Sequence, residues 1–344
     1  TFRLIVTTGA NNLVTKRGVL VIHPGALGDV LLARPVLHAL RAEFPTQEIA
    51  LLSANAVGSL LCDSGEVDRI FPLEETYLSQ LFAGYGSIGD AFRSWLRQCQ
   101  VGVGWLRDPE GTLTDSLRAA GVGSINLQSP CFSDLAAIHQ ADRYFEAIGM
   151  EWIGRDFTHD LILSAELKRQ GRRILEACNW NGASPLVLIH PGSGSVHKCV
   201  EARRLGKVIE WLLEAHMTPM LLEGPADERQ VAQLRSSLTV SVPVIRELRL
   251  SIVASVLAHA ALYVGHDSGM THLAAALAIP TVACFGPTHA SRWAPRGSRV
   301  SVLSGRPCVC VDWNQVETCD EKVCLQISME SMIEACRTHL VSPP

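Results

Sequence analysis

Gly265-His266-Asp267-Ser268-Gly269-Met270-Thr271-His272 lies between two apolar runs and continues into Leu273-Ala274-Ala275-Ala276-Leu277-Ala278-Ile279-Pro280-Thr281. Ala261 to Val264 predicts a buried strand, the stretch after His272 an Ala-rich helix, and Thr281 to Phe285 the next strand. A loop of small, polar and ionisable residues therefore opens a helix at the end of a strand. Anions bind at such places in α/β proteins, because unpaired N–H groups and the helix dipole face the ligand.

Working outward, the second half of the chain repeats strand and helix signals. Helices are predicted over Glu166 to Cys178, Arg203 to His216, Glu228 to Ser237 and Ser251 to His259, with strands at Pro185 to Ile189, Pro219 to Leu222 and Val242 to Ile245. The first half has the same grammar, with strands at Val19 to Ile22, Ile49 to Leu52 and Arg69 to Leu73. Helices are expected at Val30 to Phe44, Ala56 to Cys62 and Ala136 to Ile148. Between Tyr77 and Gly123 glycines and aromatic residues blur any period. The expected fold class is α/β: two doubly wound, largely parallel domains spanning 1–160 and 161–344, the latter with a terminal helix. Residues 1–17 read as an extension without assigned function.

Composition bounds the function. The chain has 344 residues, 47% of them hydrophobic, enough for two cores. A net charge of -4, from 34 acidic and 30 basic residues, argues against a nucleic-acid partner. The longest apolar runs, such as Ile252 to Val264 with its internal His259, fall short of the roughly 20 residues that span a bilayer. No leader pattern opens the chain, and a soluble cytoplasmic protein is the expectation. Of eleven cysteines, Cys62, Cys99, Cys131, Cys178, Cys199, Cys284 and Cys336 are scattered through apolar or helical contexts. Cys308, Cys310, Cys319 and Cys324 crowd one loop, where a zinc tetrathiolate is the minority reading because paired C-x2-C knuckles are absent. No metal or cofactor is expected.

Three loops can carry chemistry. Ile22-His23-Pro24-Gly25 and Ile189-His190-Pro191-Gly192 both follow a first strand. The first continues to Gly28 and Asp29, whose carboxylate at a strand-to-helix junction reads equally as a base or as a helix N-cap. Pro35 would break a helix there, which predicts an irregular first turn. The second loop, Ser193-Gly194-Ser195-Val196-His197-Lys198, joins small hydrogen-bond donors to a cation suited to phosphate, although it lacks the P-loop spacing. In the third loop Ser268, Gly269 and Thr271 read as anion or sugar contacts, and His272 as support. Asp267-Ser268-Gly269 is no protease nucleophile, since the surrounding two-barrel pattern is missing and residue 266 is His rather than the Gly of a Gly-x-Ser-x-Gly elbow.

Taken together, Gly28-Asp29-Val30-Leu31 with Pro35, His190-Pro191-Gly192-Ser193 with Lys198, and Asp267-Ser268-Gly269 with His272 and Phe285-Gly286-Pro287-Thr288 resemble glycosyltransferase family 9, the ADP-heptose:lipopolysaccharide heptosyltransferases. The likeness runs from about residue 18 to 340. It implies a GT-B fold, two Rossmann-like domains with an interdomain cleft, acceptor in the first and nucleotide sugar in the second. It further implies Asp29 as the base on the acceptor hydroxyl and Lys198 on the donor diphosphate. Ser193, Gly194, Ser268, Gly269, Thr271 and His272 would complete the donor site, Asp267 would meet the sugar, and Glu228, with Asp227 as competitor, the ribose. His23, Gly25 and Gly28 would form the acceptor-side loop.

The implied reaction is inverting transfer of heptose from ADP-heptose to a lipopolysaccharide core, a lipid-linked or oligosaccharide acceptor. It would occur in the cytoplasm with transient contact at the inner face of the inner membrane. The alternatives are another nucleotide sugar or glycan, a nucleotide-sugar epimerase, and a non-catalytic sugar-nucleotide binder. The chain departs from the family pattern at His23, where many members carry Arg or Lys. It departs again at Cys199-Val200, where Arg or His then Trp would give the lysine aromatic support. Arg93, Arg97, Arg107 and Arg118 read as solvated surface groups, with a grip on an anionic acceptor as the lesser alternative.

Overall fold

A computed structural model describes residues 17–130, 138–146, 149 and 160–341. The chain forms two compact units, Thr1–His159 and Asp160–Pro344. In the first unit, strands β1 (Gly18–Ile22), β2 (Glu48–Ser53), β3 (Arg69–Pro72), β4 (Cys99–Trp105) and β5 (Ser124–Gln128) lie in the order β3-β2-β1-β4-β5. In the second, β6 (Leu186–Ile189), β7 (Thr218–Leu222), β8 (Val244–Ile245), β9 (Leu262–His266), β10 (Thr281–Phe285) and β11 (Val300–Ser304) lie in the order β11-β10-β9-β6-β7-β8. Every pairing is parallel. Both orders reverse direction beside the first strand of their unit, which creates a topological switch point between β1 and β4 and another between β6 and β9.

Parallel strands covered on both faces need continuous apolar sequence, and β1, β6, β9 and β10 are buried along their whole length. Each unit has its own core. Leu20, Ile22, Leu52, Phe71, Phe92 and Leu117 centre the first, and Val187, Ile189, Ile209, Leu221, Val264 and Met332 the second. The two-sheet α/β architecture is the expected one. The terminal helix is present as Met329–Val341.

Three local expectations change. The helix predicted over Val30 to Phe44 is two helices, Leu27–Leu32 and Arg34–Glu43, meeting at Ala33. Pro35 has no N–H to give the carbonyl of Leu31, and the break falls where that bond is missing. Asp29 thus lies inside a short helix, three residues after its N-cap Ala26, and is neither the N-cap nor part of a bent loop. Gly265 and His266, assigned to the loop from sequence, belong to β9. Of the helix predicted over Ala136 to Ile148, Gln140–Glu146 is formed, while positions 136, 137, 147 and 148 lie outside the described residues. The extension to Lys16, and Cys131, also lie outside them.

Candidate active site

At the second unit's switch point the loops after β6 and β9 are tied together. Ser193 Oγ donates to the Asp267 carbonyl at 2.6 Å. His266, fully buried, accepts from Val200 N at Nε2 (3.1 Å), so its Nδ1 carries the proton and donates to the Gly192 carbonyl at 3.3 Å. Burial and the neighbouring His190 push His266 down to about 4, so the ring stays neutral and this bridge holds at physiological pH. Sequence reading used His266 only to exclude a hydrolase elbow. The signal available was an imidazole at the last position of an otherwise apolar strand.

Lys198 ends a 3-10 turn, Val196–Lys198, and its Nζ meets Asp267 Oδ2 at 2.8 Å. The lysine is about a quarter exposed and the carboxylate almost covered (24% and 9%), so the cation faces outward from an anchored partner. Trp313 stands 5.8 Å from the ammonium. The aromatic support that Cys199-Val200 fails to give the lysine is therefore supplied from another part of the chain. Ser268 is the N-cap of helix Gly269–Ala276, and its hydroxyl makes no capping bond. The amides of Gly269 and Met270, in the first turn, have no partner within the helix and open toward this site.

Behind these groups Asp227 is the hub. His190 Nε2 donates to Asp227 Oδ2 at 2.8 Å and Gly224 N donates to the same oxygen at 2.8 Å. Burial pushes the Asp227 carboxyl up, but the His190 hydrogen bond and charge outweigh it and hold it below the usual carboxylate range. His190 Nδ1 lies 3.5 Å from Ser268 Oγ, which is also 3.4 Å from Thr271 Oγ1. The Asp227, His190, Ser268 chain has the order of a hydrolase relay, but its last link is at the limit of hydrogen bonding. It orients the Ser268 hydroxyl at the helix start. A Cβ at Gly192 would fall 1.7 Å from Asp227 Oδ1, so the glycine makes room for that carboxylate.

The donor-side residues expected from sequence divide into those facing outward and those turned inward. Ser193, Lys198, Asp267, Ser268 and Gly269 come together here, and Gly194 is exposed on the same loop. Thr271 is fully buried, and its hydroxyl donates to the His266 carbonyl and lies 3.3 Å from Tyr263 OH. Its hydroxyl holds the loop. His272 is buried in the same helix. Asp227 is committed to His190 and Gly224, whereas Glu228 is exposed at the start of helix Glu228–Ser236. A cavity of about 600 Å³ bordered by Pro191, Val196, Arg229 and Gln230 opens beside this loop, within the size range of small-molecule sites.

In the first unit the loop after β1 begins at His23, which is 1% exposed. Its Nδ1 accepts from Gly25 N at 3.2 Å, and its ring packs 5.1 Å from both Trp105 and Tyr144. Burial pushes His23 down to about 3. Asp29 Oδ2 accepts from Ala26 N at 3.1 Å. A Cβ on Gly25 would lie 2.8 Å from His23 Cε1 and 2.9 Å from Asp29 Cβ, so this glycine brings the histidine and the aspartate together. Gly28 occupies the second position of the short helix. Arg93 donates to the Ile88 carbonyl at 2.5 Å and stacks on Tyr85, and Arg118 pairs with Asp115 at 2.6 Å. Arg97 and Arg107 are exposed.

The Cys310 thiol contacts those of Cys308 and Cys319, and Cys324 contacts Cys308. Among the described residues no group of three or more His, Cys, Asp or Glu is arranged to hold a metal ion. Among them, too, no helix is long and apolar enough to cross a membrane.

Residues 137–322 match the family model "Glycosyltransferase family 9 (heptosyltransferase)". Lipopolysaccharide heptosyltransferase 3 of Escherichia coli is 24% identical over 292 residues, 78% of this chain and 82% of that protein. Among solved structures, a family 9 glycosyl transferase from Veillonella parvula superposes with TM-score 0.77 at 16% identity, covering 96% of this chain and 99% of that one. The E. coli ADP-heptose lps heptosyltransferase II superposes with TM-score 0.71 at 17% identity, covering 94% and 98%. At these identities the structural likeness speaks for the fold, which is that of GT-B heptosyltransferases, while the family match covers more than half of the chain. The chain belongs to glycosyltransferase family 9, the heptosyltransferases.

Proposed function

We propose that this protein is an inverting heptosyltransferase that takes heptose from ADP-heptose and adds it to a lipopolysaccharide core acceptor. The observation that carries this reading is the cluster at the β6/β9 switch point, where Lys198, Asp267, Ser268 and the first amides of helix Gly269–Ala276 converge. A cation beside a helix N-terminus suits a diphosphate, and a carboxylate on the same cation suits sugar hydroxyls.

In this mechanism the acceptor binds the first unit and the donor the second. Asp29 takes the proton of the acceptor hydroxyl as its oxygen attacks the anomeric carbon. The bond from that carbon to the β-phosphate oxygen breaks through an oxocarbenium-like state, and the electron pair leaves on the diphosphate. Lys198 and the amides of Gly269 and Met270 neutralise the departing charge, so the chain's own residues supply the electrophilic assistance. Asp267, already held by Lys198, aligns the sugar. Glu228, with its carboxylate exposed, is the ribose ligand in this account. The acceptor is lipid-linked, and contact with the cytoplasmic membrane face is peripheral.

Thermal shift with ADP-, UDP-, GDP- and CMP-linked sugars tests the donor assignment. ADP-heptose should stabilise the protein, and stabilisation by UDP or GDP sugars without any by ADP sugars overturns it.

A further inference from the structure

Among the described residues, two buried N–H donors at the switch point of the first sheet have no hydrogen-bond partner. His23 follows β1 and Trp105 ends β4, the two strands that flank that point. Each residue is 1% exposed, and neither His23 Nε2 nor Trp105 Nε1 has a hydrogen-bond acceptor among the described residues. Because Nδ1 of His23 accepts from Gly25 N, the proton of the ring is on Nε2, and the indole can only donate. Both groups are therefore obligate donors, and their rings pack 5.1 Å apart. Native interiors rarely leave one such donor unpaired, let alone two in contact.

We propose that His23 Nε2–H and Trp105 Nε1–H form an acceptor-specificity seat that takes an uncharged sugar oxygen, next to the hydroxyl that Asp29 deprotonates. The seat rests on the transferase reading above. Its place follows from Gly25, whose Cα has room for no side chain because the His23 ring and Asp29 Cβ both press on it. Pro24 and Ala26, the neighbours of Gly25, are exposed. The chemistry of the occupant follows from the donors. Neither carries charge at neutral pH, so the pair suits a hydroxyl or ring oxygen, and the Trp105 and Tyr144 rings, 4.9 Å apart, present apolar surface to the sugar's C–H groups.

The test uses the full chain, ADP-heptose, and a deacylated core oligosaccharide lacking heptose as acceptor. Trp105→Phe removes the indole donor and keeps an aromatic ring. It should raise the acceptor KM about tenfold and leave the donor KM and kcat within about twofold. His23→Phe should behave likewise, and His23→Gln, which restores an N–H near the Nε2 position, should recover most of the acceptor KM. A wild-type acceptor KM in Trp105→Phe overturns the seat. If wild type makes no product from ADP-heptose, the transferase reading fails, whereas product formation with an unchanged acceptor KM in Trp105→Phe sinks the seat alone.

Discussion

Lys198 Nζ and Asp267 Oδ2 lie 2.8 Å apart, so the cation expected on the diphosphate and the carboxylate expected on the sugar begin as each other's partner. ADP, which has the diphosphate and no heptose, must share the lysine with Asp267. Asp267→Asn should therefore leave ADP affinity equal or higher while heptose transfer falls at least about a hundredfold. Lys198→Ala should weaken ADP about 10- to 100-fold, corresponding to about 1.4–2.8 kcal/mol. Calorimetric titration with ADP, alongside turnover with ADP-heptose, separates the two effects.

The buried Asp227 predicts an acid limit to stability. Its carboxyl is held below the usual range in the folded protein, against about 4 for an unperturbed aspartate. A depressed folded pKa adds stability that is complete above the unfolded value and is lost as pH falls through the folded one. Asp227→Ala should cost about 3 kcal/mol at pH 7, because it strands His190 and the Gly224 amide. The difference from wild type should shrink below pH ~4. Urea midpoints of both proteins at pH 7 and in acid check this.

Gly104 sits in the middle of a buried sheet, where a Cβ would fall 2.9 Å from both Cβ and O of Ile22. Gly104→Ala should destabilise the first unit by about 2–4 kcal/mol through the displaced β1/β4 contact. Chemical denaturation followed by Trp fluorescence reports it.

That same glycine explains what was legible. The continuous apolar runs of β1, β6, β9 and β10 announced themselves as strands, and the loops after β6 and β9 stood out as a candidate ligand site of the second unit, the loop after β1 as one of the first. Strand β4, Cys99-Gln100-Val101-Gly102-Val103-Gly104-Trp105, did not, because the glycines that permit close approach of β1 also erase its pattern. Strand β11 is partly exposed at a sheet edge and lacks a buried strand's signal. Within the site, residue types and loop order located Lys198, Asp267 and Ser268, but not which groups turn inward. The hydroxyl of Thr271 and the carboxylate of Asp227 serve the protein's own loops, and His266 and Trp313 reach the site from positions that no local spacing links to Lys198.

Asp29 lies at the third position of a short helix with one carboxylate oxygen on the Ala26 amide, a bond that Asn can keep. The central claim is that this carboxylate is the base of heptosyl transfer. Side-by-side measurement of ADP-heptose affinity and of product formation on a core oligosaccharide, for wild type and Asp29→Asn, tests it most directly. The account predicts unchanged donor affinity with turnover reduced by about 10³-fold or more. Turnover within about tenfold of wild type, with donor binding intact, would contradict it.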